Sequence, residues 1–130
     1  MSIINNQIEY LIEKSIMLSN PYEKQIVGLC VLRDYLTDDI ANEWIDEDIY
    51  LLKELVKKGI VDESVLEIYI KINDNFASVS LGGEMYNQNI WTLTGLKSDP
   101  FWEKQRKLAS NLLNQLTKTT HKTGDKTGDG

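Results

Sequence analysis

The chain has 130 residues, of which 42% are hydrophobic, and this length and composition are typical of one globular domain with its own core. Twenty acidic residues against fourteen basic ones give a net charge of −6, which argues against a protein that binds nucleic acid through the phosphates. The single cysteine excludes an internal disulfide, no apolar stretch approaches the ~20 residues of a membrane span, and no secretory signal pattern opens the sequence. We therefore expect a cytoplasmic protein that does not enter a membrane.

Two helices are predicted in the first 36 residues. Apolar residues recur at helical spacing from residue 3 to residue 18, with polar residues between them. The start of the second helix is marked by Asn20 as N-cap, Pro21 at the first helical position and Glu23 at the capping-box position. This helix extends to about Leu36 and is apolar around most of its circumference. We therefore expect it to be central and packed on more than one side.

An acidic stretch, DYLTDDIANEWIDED over residues 34–48, contains seven carboxylates and no lysine or arginine. A short helix is predicted over residues 38–45, and another over residues 47–58, with acid in its first turn and Gly59 beyond its end. Helix starts favour carboxylates and explain about half of the cluster, while the rest predicts a surface that docks on a basic protein. Trp44 is interpreted either as a core residue or as the aromatic anchor of that surface. The predicted partner-binding residues are Asp34, Asp38, Asp39, Glu43, Trp44, Asp46, Glu47 and Asp48, joined by Tyr86 from a later loop.

Residues 62–81 fit two different structures. The segment VLEIYIKI alternates as a strand does, and NDN followed by FASVSL would complete a hairpin at 64–81. The same residues also recur at helical spacing, with Asp62 as a cap, Glu67 and Lys71 as an i,i+4 pair, and Gly82 and Gly83 as a stop. We predict a helix because the neighbouring segments on both sides are helical, and the hairpin remains as the alternative.

An ordered loop, a last helix and a tail complete the chain. Residues 82–98 show no sustained period, and Trp91 is expected to lie over the bundle as part of a lid. Ser98 or Asp99 caps the last helix, with Pro100 near its start. Its predicted inward face comprises Phe101, Leu108, Ala109, Leu112, Leu113 and Leu116, and its predicted outward cations are Lys104, Arg106 and Lys107. Residues 119–130 contain no apolar side chain and are predicted to form a disordered tail.

The predicted fold is mainly α, a compact helical bundle or a HEAT-like stack of about five helices over residues 1–118. A long ordered loop precedes the last helix, and the hairpin alternative would make the class α+β. The sequence has no glycine-rich phosphate loop, no CxxC and no HExxH, and its one histidine, His121, lies in the predicted tail. The acidic pairs also lack the other ligands of a calcium loop. We therefore expect neither an enzyme nor a cofactor or metal site.

The carboxylates beside Trp44 and the segment IWTLTGLKSDPFWEKQRKLA give the chain a resemblance in type to the immunity proteins of bacterial polymorphic toxin and contact-dependent growth inhibition systems. The resemblance covers residues 1–118. It implies a tight 1:1 complex with the C-terminal domain of a cognate toxin, a basic RNase or DNase whose active-site cleft is covered by acid in place of phosphates. The alternative is an acidic adaptor or regulatory module that binds a peptide or helix of an intracellular partner.

Overall fold

A computed structural model describes residues 3–25, 37–80 and 82–129 of the chain, and the side chains of residues 5–25, 40–80 and 82–118. Its helices are α1 (Ile3–Ser19), α2 (Thr37–Asn42), α3 (Asp46–Lys57), α4 (Glu63–Val79), α5 (Leu93–Ser98) and α6 (Pro100–Asp129), with a 3-10 helix at Gln88–Trp91 and a helical stretch at 22–25. No strand occurs in the described ranges, so the mainly α prediction is confirmed and α4 replaces the alternative hairpin. The body of the second predicted helix and Asp34 lie outside the described residues.

The helix ends follow the local signals in the sequence. Asp62 and Asp99 cap α4 and α6, each accepting a hydrogen bond from the backbone N–H two residues later, at 3.0 and 2.9 Å. Gly59, with φ 73°, follows the C-cap of α3, and the N–H of Ile60 donates to the carbonyl of Leu55 at 2.9 Å. This is the Schellman arrangement, which requires the left-handed conformation that glycine adopts without steric cost.

The four longest described helices surround one core. α1 packs along α6, α6 packs against α4, and α4 packs against α3. Hydrogen bonds from Tyr10 and Lys14 of α1 to Asp48 of α3 close the ring. The fully buried side chains include Leu11, Leu18, Leu52, Leu55, Val65, Tyr69, Ile72, Trp102, Leu112 and Leu116. All four helices therefore contribute to the same apolar interior, as in a helical bundle.

Residues 82–98, predicted as a loop, contain the 3-10 helix and α5. Thr92 caps α5 by accepting a hydrogen bond from the N–H of Gly95 at 2.9 Å. A Cβ added to Gly95 would lie 2.1 Å from the carbonyl oxygen of Asn89, so the two short helices approach more closely than a side chain allows. Trp91 covers the bundle as predicted and donates from its indole to the carbonyl of Val79 at 3.0 Å. Neither short helix is long enough to show a period in the sequence.

The inward face of α6 contains the predicted Ala109, Leu112 and Leu116, together with two residues that were not predicted there. Trp102 and Gln105 are both fully buried there, beside the predicted Ala109. Arg106, predicted to face outward, instead donates to the side-chain oxygen of Gln25 at 2.8 Å and to the carbonyl of Leu96 at 2.5 Å. Burial lowers the pKa of the Arg106 guanidinium. Periodicity alone assigns a long cationic side chain to the outside of a helix. It does not reveal that other segments bring two hydrogen-bond acceptors to this side chain.

The backbone of α6 continues as a helix to Asp129, whereas the composition predicts a disordered tail at 119–130. Extending an existing helix costs far less than nucleating a new one, because each added residue gains a hydrogen bond for the conformation it loses. A helix can therefore continue into a segment that has no apolar residue to dock.

Candidate protein-binding surface

Asp48, which the sequence places on an acidic surface, is buried in the structure with 5% of its area exposed. Its Oδ2 atom lies 2.5 Å from Nζ of Lys14, which also donates to the backbone carbonyl of Glu43. The same oxygen accepts hydrogen bonds from the hydroxyl of Tyr69 at 2.7 Å and the hydroxyl of Tyr10 at 3.2 Å. One carboxylate thus connects α1, α3 and α4. The assignment of Asp48 to a partner-binding surface is corrected, because its charge is already neutralised inside the fold.

Trp44 is a core residue, with 5% of its area exposed and its ring centroid 4.9 Å from that of Tyr69. Nζ of Lys14 lies 5.5 Å from the Trp44 ring centroid, 4.6 Å from that of Tyr10 and 5.8 Å from that of Tyr69. The cation of the buried pair is therefore enclosed by three aromatic rings, a favourable environment for a desolvated ammonium. The interpretation of Trp44 as an interface anchor is corrected, because a partner cannot reach it.

Lys14, Tyr10 and Tyr69 were missed as partners of the acidic stretch. No cation occurs within residues 34–48, but Lys14 comes to Asp48 from a helix 34 positions earlier in the chain. One signal was available in the sequence, because Lys14 lies at helical spacing between Leu11 and Leu18, which are both buried. A lysine on the apolar stripe of a helix requires an acidic partner from elsewhere in the fold.

Tyr69 serves this network as a neutral donor. Burial, followed by the hydrogen bond that the hydroxyl donates to the Asp48 carboxylate, raises the pKa of the Tyr69 hydroxyl above its ordinary value. Its oxygen also accepts a hydrogen bond from the backbone N–H of Ile45 at 3.1 Å. The hydroxyl therefore fixes the start of α3 against α4 as long as it keeps its proton.

This raised pKa predicts an alkaline loss of stability. The folded protein retains the Tyr69 proton at pH values at which the unfolded chain releases it, so the stabilisation is complete below about pH 10 and declines as the pH rises further. Urea denaturation of the native protein and of Tyr69→Phe at a series of alkaline pH values tests this. We expect the free energy of unfolding to fall more steeply with pH in the native protein. Equal slopes would contradict the assignment, because the two proteins differ only in the Tyr69 hydroxyl.

The acidic residues that stay on the surface lie at the start of α3. We call Glu43, Asp46 and Glu47 the acidic ledge, since all three are exposed. Asp46 is oriented by a hydrogen bond from the side-chain amide of Asn73 at 2.9 Å. Among the described residues, the carboxylates of Glu43 and Glu47 have no hydrogen bond or ion pair. The ledge is thus a concentration of negative charge that no cation among the described residues neutralises.

Apolar surface adjoins the ledge. Ile45 is 38% exposed and Tyr50 is 68% exposed, the latter one turn along α3 from Asp46 and Glu47. Nζ of Lys53 lies 5.7 Å from the centroid of the Tyr50 ring, with both groups on the surface. Tyr50, unlike Trp44, is therefore an exposed aromatic side chain beside the ledge.

The other predicted residues are not brought to the ledge by any described contact. Asp34 lies outside the described residues. Asp38 and Asp39 belong to the backbone of α2, and their side chains are also outside the described set. Tyr86 is 44% exposed in the segment after α4, and the described contacts do not connect it to α3. Of the predicted residues, the described structure therefore brings Glu43, Asp46 and Glu47 together as exposed carboxylates, while Asp34, Asp38 and Asp39 stay predictions.

Within the described residues, no three acidic, histidine or cysteine side chains converge to hold a metal ion. No helix in the same set is long and apolar enough to cross a membrane. Comparisons with protein-family models, with curated proteins and with solved structures found no match.

Proposed function

We propose that this protein is a binding protein whose acidic ledge docks on a basic protein, and that the partner is a toxin domain that it neutralises as an immunity protein. The observation that supports the proposal most directly is the placement of Glu43. This residue follows the end of α2, where the helix dipole disfavours a carboxylate, and it has no ion pair among the described residues. Helix stability does not explain why a carboxylate stands at position 43, whereas binding to a cationic partner would explain it.

The fold beneath the ledge holds it rigidly. Lys14 binds the backbone carbonyl of Glu43, Tyr69 contacts both backbone groups of Ile45, and Asp48 anchors the first turn of α3. Every residue from 43 to 48 is therefore next to a tertiary contact or makes one. A surface that is already ordered loses little conformational entropy when a partner docks, so more of the interaction energy appears as affinity.

The ledge also suits the inhibition of a nuclease. A nuclease active site presents cations to the phosphates of its substrate, and carboxylates at similar spacing can occupy the same cleft. Docking would then exclude the nucleic acid, while the net charge of −6 would speed association by long-range attraction. Tyr50 would provide the buried aromatic contact at the centre of the interface.

Charge reversal on the ledge tests the proposal. In Glu43→Lys/Asp46→Lys/Glu47→Lys we expect partner binding to be abolished, because like charges placed opposite each other in an interface cost several kcal/mol. The native protein and the variant serve as baits for affinity capture from native lysate, followed by identification of the bound protein. Tyr50→Ala is the companion variant and should weaken binding about thirtyfold, the equivalent of ~2 kcal/mol.

A matched control reverses the same number of charges on the outer face of α4. The substitutions are Glu63→Lys, Glu67→Lys and Asp74→Lys, all at exposed positions, with Glu63 in the first turn of its helix as Asp46 and Glu47 are in theirs. The control should capture the same partner as the native protein, and both triple variants should have melting temperatures similar to each other. Retention of the partner by the ledge variant would refute the docking surface.

The immunity function has its own readout. Expression of the captured protein alone should reduce viability, and co-expression of the native chain should restore it while the ledge variant does not. A harmless partner that still depends on the ledge would leave the binding proposal in place and refute neutralisation. It would then favour an adaptor or regulatory module.

A further inference from the structure

The outer face of the first turns of α6 is basic, although the chain as a whole is acidic. Together with the end of α5 it lines a surface groove of about 760 Å³. Lys97, Lys104 and Lys107 face this groove and make no hydrogen bond or ion pair within the described part of the chain, although Nζ of Lys97 lies 6.0 Å from the centroid of the Tyr22 ring. All three lysines are exposed and, unlike Arg106, are therefore accessible to a ligand.

Two acidic residues also line the groove, but its four cations outnumber them. Asp99 accepts the N–H of Phe101 as the cap of α6, and Glu103 lies 3.8 Å from Arg106. The groove therefore presents net positive charge to solvent. Its lining also includes Pro100 and Leu108, which give it apolar surface beside the lysines.

We propose that this groove binds an acidic peptide segment that also carries apolar side chains, supplied by a partner protein. Lys104 and Lys107 lie one turn apart on α6, and the lining continues to Asn111, a span of about 10 Å along the helix. Such a length matches about two turns of a helix or a short extended segment, and it exceeds what a single phosphate or carboxylate would cover. The apolar lining fits side chains that alternate with the acids of such a peptide.

Nucleic acid is a poorer match for the same groove. Three available cations would neutralise few phosphates, and the net charge of −6 would repel the remainder of a long polyanion. A peptide with a few carboxylates engages the lysines without that long-range penalty. The groove and the acidic ledge would then allow the protein to contact segments of opposite charge, independently of whether the ledge partner is a toxin.

Titration of the isotope-labelled full chain by NMR tests this inference. The probe is a synthetic amphipathic peptide of Glu, Leu and Ala, about three helical turns long, and its match has every Glu replaced by Gln. We expect the backbone amides of residues 97–111 to shift and saturate with the Glu peptide. Binding of the Gln peptide, and binding of the Glu peptide to Lys104→Glu/Lys107→Glu, should be weaker by about tenfold or more.

The control variant is Lys53→Glu/Lys57→Glu, which reverses two exposed lysines one turn apart on α3 and should bind the Glu peptide as the native protein does. Three results would overturn the inference. One is the absence of shifts at 97–111 at millimolar Glu peptide, and another is equal binding of the Glu and Gln peptides. The third is a shift of the same amides by decauridine RNA at lower concentration, which would assign the groove to nucleic acid. None of these results bears on the ledge, whose residues are unchanged in every protein used.

Discussion

Replacing Lys14 with methionine is expected to lower the free energy of unfolding by roughly 3–5 kcal/mol, because it leaves the Asp48 carboxylate buried without its cation. The side chains of the pair are only 4% and 6% exposed, so water cannot replace the lost partner. Asp48→Asn should cost a similar amount by leaving the Lys14 ammonium uncompensated. Equilibrium urea denaturation followed by circular dichroism measures both effects.

The double variant Lys14→Met/Asp48→Asn separates the interaction energy between Lys14 and Asp48 from the effects that each residue has on its other neighbours. We expect it to be less destabilised than the sum of the single variants, by about 0.5–3 kcal/mol, because the second substitution removes the charge that the first left unpaired. Lys53→Met is the matched control, since it removes an exposed lysine near an aromatic ring, and it should stay within about 0.5 kcal/mol of the native protein. Additive single effects would show that the two charges do not stabilise each other.

Trp102→Ala is the second substitution expected to have a large effect, roughly 3–5 kcal/mol. The Trp102 side chain is fully buried, and its ring centroid lies 5.5–5.7 Å from those of Phe76, Trp91 and Phe101. Its indole N–H also donates to the carbonyl of Ile90 at 2.7 Å, tying the 3-10 helix to α6. The substitution therefore removes a large side chain from the core and releases the segment that covers it. The midpoint of urea denaturation reports the loss.

Trp102→Phe divides that loss into its parts. Phenylalanine keeps the aromatic contacts but cannot donate to the Ile90 carbonyl. We therefore expect Trp102→Phe to lower the free energy of unfolding by about 1–3 kcal/mol, less than Trp102→Ala does. A Trp102→Ala protein within about 1 kcal/mol of the native one would contradict the central place of this residue in the core.

Local signals determined the helical character of the chain. The cap at Asp62, the glycines at 82 and 83 shortly beyond the end of α4 and the spacing of apolar residues between them are consistent with each other, so the helix could be chosen over the hairpin. Gly59 and Asp99 likewise marked helix ends that the structure confirms. These features depend on residues a few positions apart, and a sequence displays such relationships directly.

The candidate surface was only partly predictable. Glu43, Asp46 and Glu47 are exposed as the acidic stretch suggested, but Trp44 and Asp48 from the same stretch are buried. Helical position does not separate these two groups, because what buries Trp44 and Asp48 is contact with α1 and α4. Tyr50, an exposed aromatic residue of this surface, was not predicted, because its exposure also depends on how the helices pack.

The tertiary structure alone decided which polar residues are interior. Gln105 is fully buried because its amide donates to the carbonyl of Ile72 at 3.1 Å and its oxygen accepts from Asn75 at 2.9 Å, both on α4. Asp48 is buried because Lys14 reaches it from α1. A buried polar group is stable only when its hydrogen-bond or ionic partners are present. Here those partners lie 30 to 34 residues away in the chain. Sequence periodicity therefore determined the longer helices, while the packing of those helices determined which charges remained on the surface.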